Sequence, residues 1–177
     1  MEAGYAVVVA GRNGEHLREA AGKLGPAAQW RRADVGCRTD VENAFADFDC
    51  IDVLVNAAGF VRPVSLSTPI GEAEENWDAV VDANLKGSFL AAMIASPRLA
   101  APGGRVISIS SPGFIANTGF TGAWPDDRVS EIVAQTPLGR AGTPADIAGT
   151  VLWLASEAGS FLTGAIIPVN GGWRIGG

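Results

Sequence analysis

Apolar residues along the chain follow two patterns that alternate from one end to the other. The runs at 5–10 and 51–55 are typical of strands covered on both faces of a parallel sheet, and further strands are predicted at 29–33, 105–110 and 165–169. Between the runs, apolar residues recur three and four positions apart, which indicates helices, at 14–24, 39–48, 77–96, 126–134 and 144–155. This order predicts a Rossmann-like α/β fold, a doubly wound parallel sheet.

Polar residues at the starts of three helices predict how those helices are capped. Asn13 stands where an N-cap side chain accepts a backbone N–H, and Thr39 with Glu42 has the spacing of a capping box. Thr143 precedes Pro144 at the first helical position, with a carboxylate three residues on. In the long helix, the apolar and small polar residues predicted to share one side are Trp77, Val80, Val81, Asn84, Leu85, Ser88 and Phe89.

Length and charge limit the partners that the chain can take. A chain of 177 residues fits a single domain, so we predict one Rossmann-like domain over 1–177. The net charge is −6, and the 13 basic residues are scattered singly apart from Arg31-Arg32, which excludes a nucleic-acid stripe. No apolar run is long enough to cross a membrane.

The remaining composition points to an ordinary reducing compartment. Met1–Gly4 contains no basic residue ahead of the apolar run, as a signal peptide would, so we predict a cytoplasmic protein. Cys37, Cys50 and the single His16 have no metal-ligand spacing, so no metal site is predicted.

The residues directly after the predicted strands carry the candidate chemistry, because ligands in this architecture bind beyond the carboxyl ends of the strands. They are Gly11-Arg12-Asn13, Asp34-Val35, Asn56-Ala57-Ala58-Gly59, Ser110-Ser111 and Asn170-Gly171. Together with Asn84-Leu85 and Gly87 in the long helix, and Pro137–Arg140 further on, they resemble the short-chain dehydrogenase/reductase family. The resemblance runs from about Gly4 to Gly172. It implies an oxidoreductase that uses a nicotinamide cofactor on a small alcohol or carbonyl substrate.

The resemblance also implies roles for single residues. Ser111 matches the serine that hydrogen-bonds the substrate carbonyl, and Asn84 matches the asparagine that holds a water in the proton path. Arg12 stands where NAD-preferring members place an acid on the ribose 2′-hydroxyl, so its guanidinium favours NADP, with NAD as the alternative. Asp34 and Val35 match the pair that contacts the adenine.

Two loops complete the implied cofactor site. The residues Asn56, Ala57, Ala58 and Gly59 match the loop that packs along the adenosine ribose. Ile115 and Thr118 match the loop that binds the nicotinamide carboxamide, although Asn117 falls where the family has its threonine. The plainer alternatives are a solvated arginine in a loop for Arg12 and a turn-forming aspartate for Asp34.

Two parts of the family pattern are absent from the sequence. One is the glycine-rich turn with its strand and helix, ahead of the strand at 5–10. The other is the Tyr-x-x-x-Lys segment with the strand that follows it, which the family has between Ser111 and Pro112. The only tyrosine is Tyr5 and the only lysines are Lys23 and Lys86, so no lysine stands four residues from a phenol to lower its pKa.

These absences predict a truncated sheet and impaired chemistry. Losing a general acid costs roughly 10²- to 10⁴-fold in rate, and without the glycine-rich turn NADP binding is expected to be weak or lost. The alternative is a catalytically inactive remnant that acts as a pseudoenzyme or assembly subunit. A third hypothesis, acid–base chemistry without hydride transfer, has only Asp126 and Asp127 as candidates.

The missing strands also predict association. They leave unpaired backbone groups and apolar strand faces. The chain must therefore slide its strands together, recruit a second subunit, or remain partly unfolded. Since members of the family assemble through the long helices and the C-terminal segment, where Trp153 and Trp173 lie, we predict a homo-oligomer.

Overall fold

A computed structural model of the chain describes residues 4–110, 115, 118, 121, 122 and 124–173. Their contacts divide the chain into two compact units, Met1–Ser108 and Ile109–Gly177. The strands of the first unit are β1 (Val8–Gly11), β2 (Gln29–Arg32), β3 (Val53–Asn56) and β4 (Arg105–Ser108), and its helices are α1 (Gly14–Leu24), α2 (Arg38–Phe45), α3 (Ile70–Val81) and α4 (Gly87–Ala95). The described helices of the second unit are α5 (Asp126–Ala134) and α6 (Pro144–Ala155). The organisation as one domain stays a prediction.

The strands of the first unit form two separate parallel pairs. β1 pairs with β2 from Val8 opposite Gln29 to Gly11 opposite Arg32. β3 pairs with β4 in the same parallel sense. Within the described residues no ladder joins β1 to β3, so the strands have not slid together. Among the described residues, β1 and β3 therefore each have one unpaired edge, where the sequence predicted that a strand is missing.

The prediction that these strands are covered on both faces is wrong for part of each strand. Val8 in β1 is 38% exposed and Val55 in β3 is 40% exposed. Helices pack on the two strand pairs, but among the described residues no central strand joins one pair to the other. The buried apolar core consists instead of small residues and a few aliphatic side chains, namely Leu17, Ala21, Ala33, Val41, Ala83, Ala91 and Ala95.

The long helix buries small residues, whereas large apolar residues predicted to share one side are exposed. α3 and α4 are joined by a π-helical turn at Asp82–Lys86. The buried residues here are Ala83, Gly87, Ala91 and Ala95, whereas Trp77, Leu85 and Phe89 are 69%, 69% and 61% exposed. The cause is close packing at Gly87, where an added Cβ would lie 2.6 Å from Val35 Cγ2. Only small residues permit this approach.

The helix starts were predicted correctly in two of three places. Asn13 Oδ1 accepts the N–H groups of Glu15 and His16 and so caps α1, and the capping box at Thr143 is formed. The prediction of a capping box at Thr39 is wrong. α2 begins at Arg38, and the Arg38 guanidinium forms an ion pair with the Glu42 carboxylate at 3.2 Å.

The predicted strand at 165–169 is also wrong. This segment is not assigned to a strand, and its backbone makes no hydrogen bond among the described residues. None of the helices in the described ranges has the length and apolar character needed to cross a membrane.

Candidate functional site

The carboxyl ends of β1 and β2 bring two arginines together. Because the ladder ends with Gly11 opposite Arg32, the residue after β1, Arg12, lies beside the last residue of β2. Arg32 Nε donates to the Arg12 carbonyl oxygen at 3.2 Å. Neither guanidinium forms an ion pair within residues 4–110. Both line a surface cleft of about 710 Å³ whose walls are Arg12, Asn13, Gly14, Glu15, Arg18, Trp30 and Arg32.

The start of α1 forms one wall of this cleft. A helix N-terminus attracts anions through its free amides and dipole. Here the Asn13 side chain already accepts the N–H groups of Glu15 and His16, at 3.0 and 3.2 Å. The arginine side chains are therefore the principal donors left for an anion.

A second, smaller cleft of about 460 Å³ lies on the other side of the arginine pair, lined by Arg12, Arg32, Asp34 and Asp40. Asp34 Oδ1 accepts the Gly36 N–H at 2.9 Å, and the Asp34 N–H donates to Asp40 Oδ2 at 2.9 Å. These bonds fix the turn after β2 and use one carboxylate oxygen of each acid. The two clefts together place cations at the strand ends and hydrogen-bonded acids next to them.

Val35 belongs to the same turn and has a packing role. Its side chain fills the space left by the missing Cβ of Gly87, so the turn after β2 lies directly against α4. The predicted adenine-contacting pair, Asp34 and Val35, therefore lies on a turn fixed from two directions.

The loop after β3 also follows the prediction in its position. Asn56 closes the β3–β4 ladder opposite Ser108, and its Nδ2 donates to the Ser88 carbonyl and to Ser108 Oγ, both at 3.4 Å. Ala57, Ala58 and Gly59 continue as an exposed loop.

Asn84 holds this loop by a two-point contact. Its Oδ1 accepts the Phe60 N–H at 3.0 Å and its Nδ2 donates to the Phe60 carbonyl at 2.9 Å. A Cβ on Gly59 would lie 3.2 Å from Asn84 Oδ1, so glycine fits best there. The Phe60 ring in turn lies 5.0 Å from Arg12 Cζ. The ends of β1 and β3 are thus connected through a cation–π contact, and the role of Asn84 in a proton path stays a prediction.

The other predicted site residues belong to the second unit. Ile115 pairs with Gly142 in an isolated bridge, and its carbonyl accepts the Thr121 hydroxyl. Thr118 Oγ1 lies 2.9 Å from Thr121 Oγ1, inside a turn. Both are therefore engaged in local hydrogen bonds. Ser111 and Asn117 lie outside the described residues.

Sequence reasoning missed Arg32 and Phe60. The signal for Arg32 was available, because aligning the runs 5–10 and 29–33 as parallel neighbours sets the end of one beside the end of the other. No sequence signal identifies Phe60, since its contact depends on how the loop after β3 folds back on Asn84.

Comparison with known proteins gives a consistent result. The family model described as Enoyl-(Acyl carrier protein) reductase matches residues 1–119 and 111–174. The chain is 29% identical over 222 aligned positions to the 3-oxoacyl-(acyl-carrier-protein) reductase FabG of Chlamydia trachomatis, covering 97% of this chain and 88% of the relative. The FabG of Staphylococcus aureus strain Mu50 is 31% identical over 175 positions, 75% of this chain and 70% of the relative.

Solved structures match over nearly the whole chain. A short-chain dehydrogenase/reductase described as glucose/ribitol dehydrogenase from Brucella melitensis has a TM-score of 0.82 at 27% identity, with 98% of this chain and 88% of that chain covered. A gluconate 5-dehydrogenase from Burkholderia cenocepacia has a TM-score of 0.80 at 25% identity, with 97% and 86% covered.

The alignment with the Chlamydia trachomatis relative also shows that the relative has residues without a counterpart in this chain. Its 222 positions exceed the 177 residues of this chain by 45. At least that many aligned positions are therefore occupied in the relative alone. The family model and the relatives agree on one assignment: this chain belongs to the short-chain dehydrogenase/reductase family, whose members are oxidoreductases that use NAD or NADP.

Proposed function

We propose that this chain binds NADP through the 2′-phosphate end of the cofactor, and that its hydride transfer between alcohol and carbonyl is impaired. The observation that carries the binding part is the guanidinium of Arg12, which lies at the end of β1 without an ion pair among residues 4–110. A guanidinium matches the oxygens of a phosphate bidentately. NAD-binding sites of this architecture carry an acid there instead.

The cleft fits this end of the cofactor. It combines cationic side chains with the Trp30 ring and lies next to the hydrogen-bonded Asp34. The gluconate 5-dehydrogenase of Burkholderia cenocepacia was solved in complex with NADP and tartrate, which supports the same cofactor here. When bound, the cofactor would carry the hydride, which NADPH gives to a carbonyl and NADP+ takes from an alcohol, and the residues of this chain would hold and orient the cofactor.

The proposed impairment concerns the proton that must accompany the hydride. Family chemistry needs a phenol whose pKa a neighbouring ammonium lowers. Lys23 is ion-paired with Glu19 at 2.7 Å, and Lys86 with Asp82 at 3.0 Å, each within one helical turn. Both ammonium groups are thus paired on helix surfaces, and Tyr5 is the only phenol in the sequence. The aligned positions that only the Chlamydia trachomatis relative occupies also support the proposal that hydride transfer is impaired.

A second candidate function, a non-catalytic assembly subunit, has its own supporting observation. Trp77, Leu85, Phe89 and Met93 expose between 59% and 69% of their surface along α3 and α4. Exposed apolar patches of this kind mark interaction sites. We infer that a second copy of the chain covers them, as the predicted homo-oligomer requires. Sedimentation at micromolar concentration then gives a dimer or larger species, and a monomer overturns this inference.

Calorimetric titration with NADPH and NADH tests the binding part. We expect NADPH to bind more tightly than NADH, and Arg12→Ala to weaken NADPH binding by about tenfold or more, since hydrogen bonds to charged groups contribute about 1.5–3 kcal/mol. NADH binding should be nearly unchanged. Equal affinities for the two cofactors in the wild-type chain would contradict the proposal.

Turnover measurements test the impairment. A panel of carbonyl substrates, including 3-oxoacyl thioesters, is incubated with the chain and NADPH while the absorbance of the reduced nicotinamide is followed. We expect no turnover above the rate without protein. Steady oxidation of NADPH that survives Tyr5→Phe would show that another group delivers the proton, and the impairment would have to be abandoned.

A further inference from the structure

Arg32 shares with Arg12 the lack of an acidic partner among residues 4–110. Arg31, Arg38 and Arg140 are each ion-paired, with Asp47, Glu42 and Asp146. Arg32 forms no ion pair among residues 4–110, although it stands at the end of a strand beside Arg12. Among the described residues its guanidinium makes one hydrogen bond, from Nε to the Arg12 carbonyl, which uses one of its five N–H donors. The terminal nitrogens are left to contact a ligand.

The larger cleft has an excess of positive charge. It is lined by Arg12, Arg18 and Arg32 and by one acid, Glu15. This concentration occurs on a chain whose net charge is −6. Arg18 Cζ lies over the Trp30 ring at 5.6 Å, so this guanidinium is held to one side.

Two acids line the smaller cleft together with Arg12 and Arg32, and neither is bonded to Arg32. In the smaller cleft, one oxygen of the Asp34 carboxylate accepts the Gly36 N–H, and one oxygen of the Asp40 carboxylate accepts the Asp34 N–H. Neither acid is ion-paired with Arg32. Two adjacent guanidinium groups at one strand end repel each other, and a dianion between them relieves the repulsion.

We propose that Arg32 is a second specificity-determining residue, which binds the same phosphate monoester dianion as Arg12. This inference rests on the proposed NADP-binding function and extends it to a residue outside the family motif. Arg12 approaches the dianion from the end of β1 and Arg32 from the end of β2. By its bond to the Arg12 carbonyl, Arg32 also fixes the backbone from which the first guanidinium extends.

The chain offers a matched control in Arg31. It precedes Arg32 on the same strand, so its side chain points to the opposite face. There its guanidinium pairs with Asp47 at 3.5 Å and lies over the Phe48 ring at 5.6 Å. Arg31→Ala removes the same charge from β2 without touching either cleft.

The test is calorimetric titration of the wild-type chain, Arg32→Ala and Arg31→Ala with NADPH and with NADH. We expect Arg32→Ala to weaken NADPH binding by about tenfold and to leave NADH binding within about twofold. Arg31→Ala should leave both within about twofold. Arg32→Lys keeps the charge but not the planar fork, so it should lose most of the same affinity. Circular dichroism verifies that each variant is folded.

The outcomes separate this inference from the function on which it rests. If Arg12→Ala loses NADPH affinity and Arg32→Ala behaves like Arg31→Ala, Arg32 has no role and the proposed function stands. If Arg32→Lys binds NADPH as the wild-type chain does, long-range charge explains the preference and the direct contact is wrong. If the wild-type chain does not prefer NADPH over NADH, both proposals fall.

Discussion

The two units of the chain are stabilised by different kinds of contact. In the first unit, residues far apart in the sequence meet, as in the β3–β4 ladder and in the packing of Gly87 against Val35. In the described residues of the second unit, local contacts cap a helix, beside an isolated bridge between Ile115 and Gly142 and a hydrogen bond from the Leu138 N–H to the Gly171 carbonyl. Thr143 and Asp146 cap α6, and Arg140 binds the same carboxylate.

The difference shows what each kind of element needs from its neighbours. A helix satisfies its own backbone and needs only a cap at each end. A strand needs a second strand for its N–H and C=O groups. Residues 165–169 have the apolar composition of a strand but no partner among the described residues, and Ile166 is 92% exposed. Capped helices therefore form in the second unit while the strand does not.

Amide hydrogen exchange should give the largest difference between the units. Amides that bond across the β3–β4 ladder should exchange at least about a thousandfold more slowly than those of residues 165–169, because opening free energies range from near zero to that of global unfolding. Mass spectrometry of peptides covering 51–56 and 165–169 measures both. Equal protection would mean that 165–169 finds a strand partner in solution, and the comparison would fail.

A substitution at Gly87 should test how far the first unit depends on close packing. In Gly87→Val the added Cβ meets Val35 at 2.6 Å, so we expect a loss of about 3 kcal/mol in the free energy of unfolding, typical of an overpacked core. The control is Gly71→Ala in α3, where nothing lies within 4 Å of an added Cβ. It should be neutral or stabilising by up to about 1 kcal/mol.

Urea unfolding distinguishes these expectations, because a shift of the midpoint at constant slope reports stability alone. A Gly87→Val chain as stable as the wild type would show that α4 can move away from the turn at Val35. The small-residue face of the long helix would then not be what holds the first unit together.

The sequence predicted most elements but not which face of the long helix is buried. Periodicity located α3 and α4 and placed Trp77, Leu85 and Phe89 on one side of the long helix, but it did not show that the small residues are the buried ones. Hydrophobic spacing carries no information on how closely two backbones approach. That approach is set by Gly87, and the π-helical turn before it adds a residue to the helical repeat.

The candidate site was predictable where it follows strand ends and not where it depends on register or loop shape. Arg12, Asp34 and Asn56 stand at or just beyond the ends of predicted strands, and the structure has them at the end of β3 or within two residues after β1 and β2. Arg32 required the β1–β2 register, and the clamp of Asn84 on Phe60 required the loop conformation. The roles assigned to Ile115 and Thr118 remain predictions.

The smallest expected effect concerns the local cap of the second unit. The Asp146 carboxylate accepts hydrogen bonds from Arg140 and from the Thr143 backbone and hydroxyl, between 2.7 and 2.9 Å. Principally the bond from Arg140, and then those from Thr143, hold the pKa of Asp146 well below its ordinary value. Since the folded-state pKa is lowered, the carboxylate stabilises the chain above the unfolded pKa of about 4. This stabilisation is lost as the pH falls toward the folded value.

Asp146→Asn should therefore lower the thermal midpoint at neutral pH by a small amount, and the difference from the wild type should narrow steadily as the pH falls from about 4 to about 2. Asp126→Asn provides the control, because it removes an acid from the first turn of α5, where no capping box is formed. Its effect on the thermal midpoint at neutral pH should be smaller than that of Asp146→Asn. A constant gap between Asp146→Asn and the wild type would show that the carboxylate does not stabilise α6.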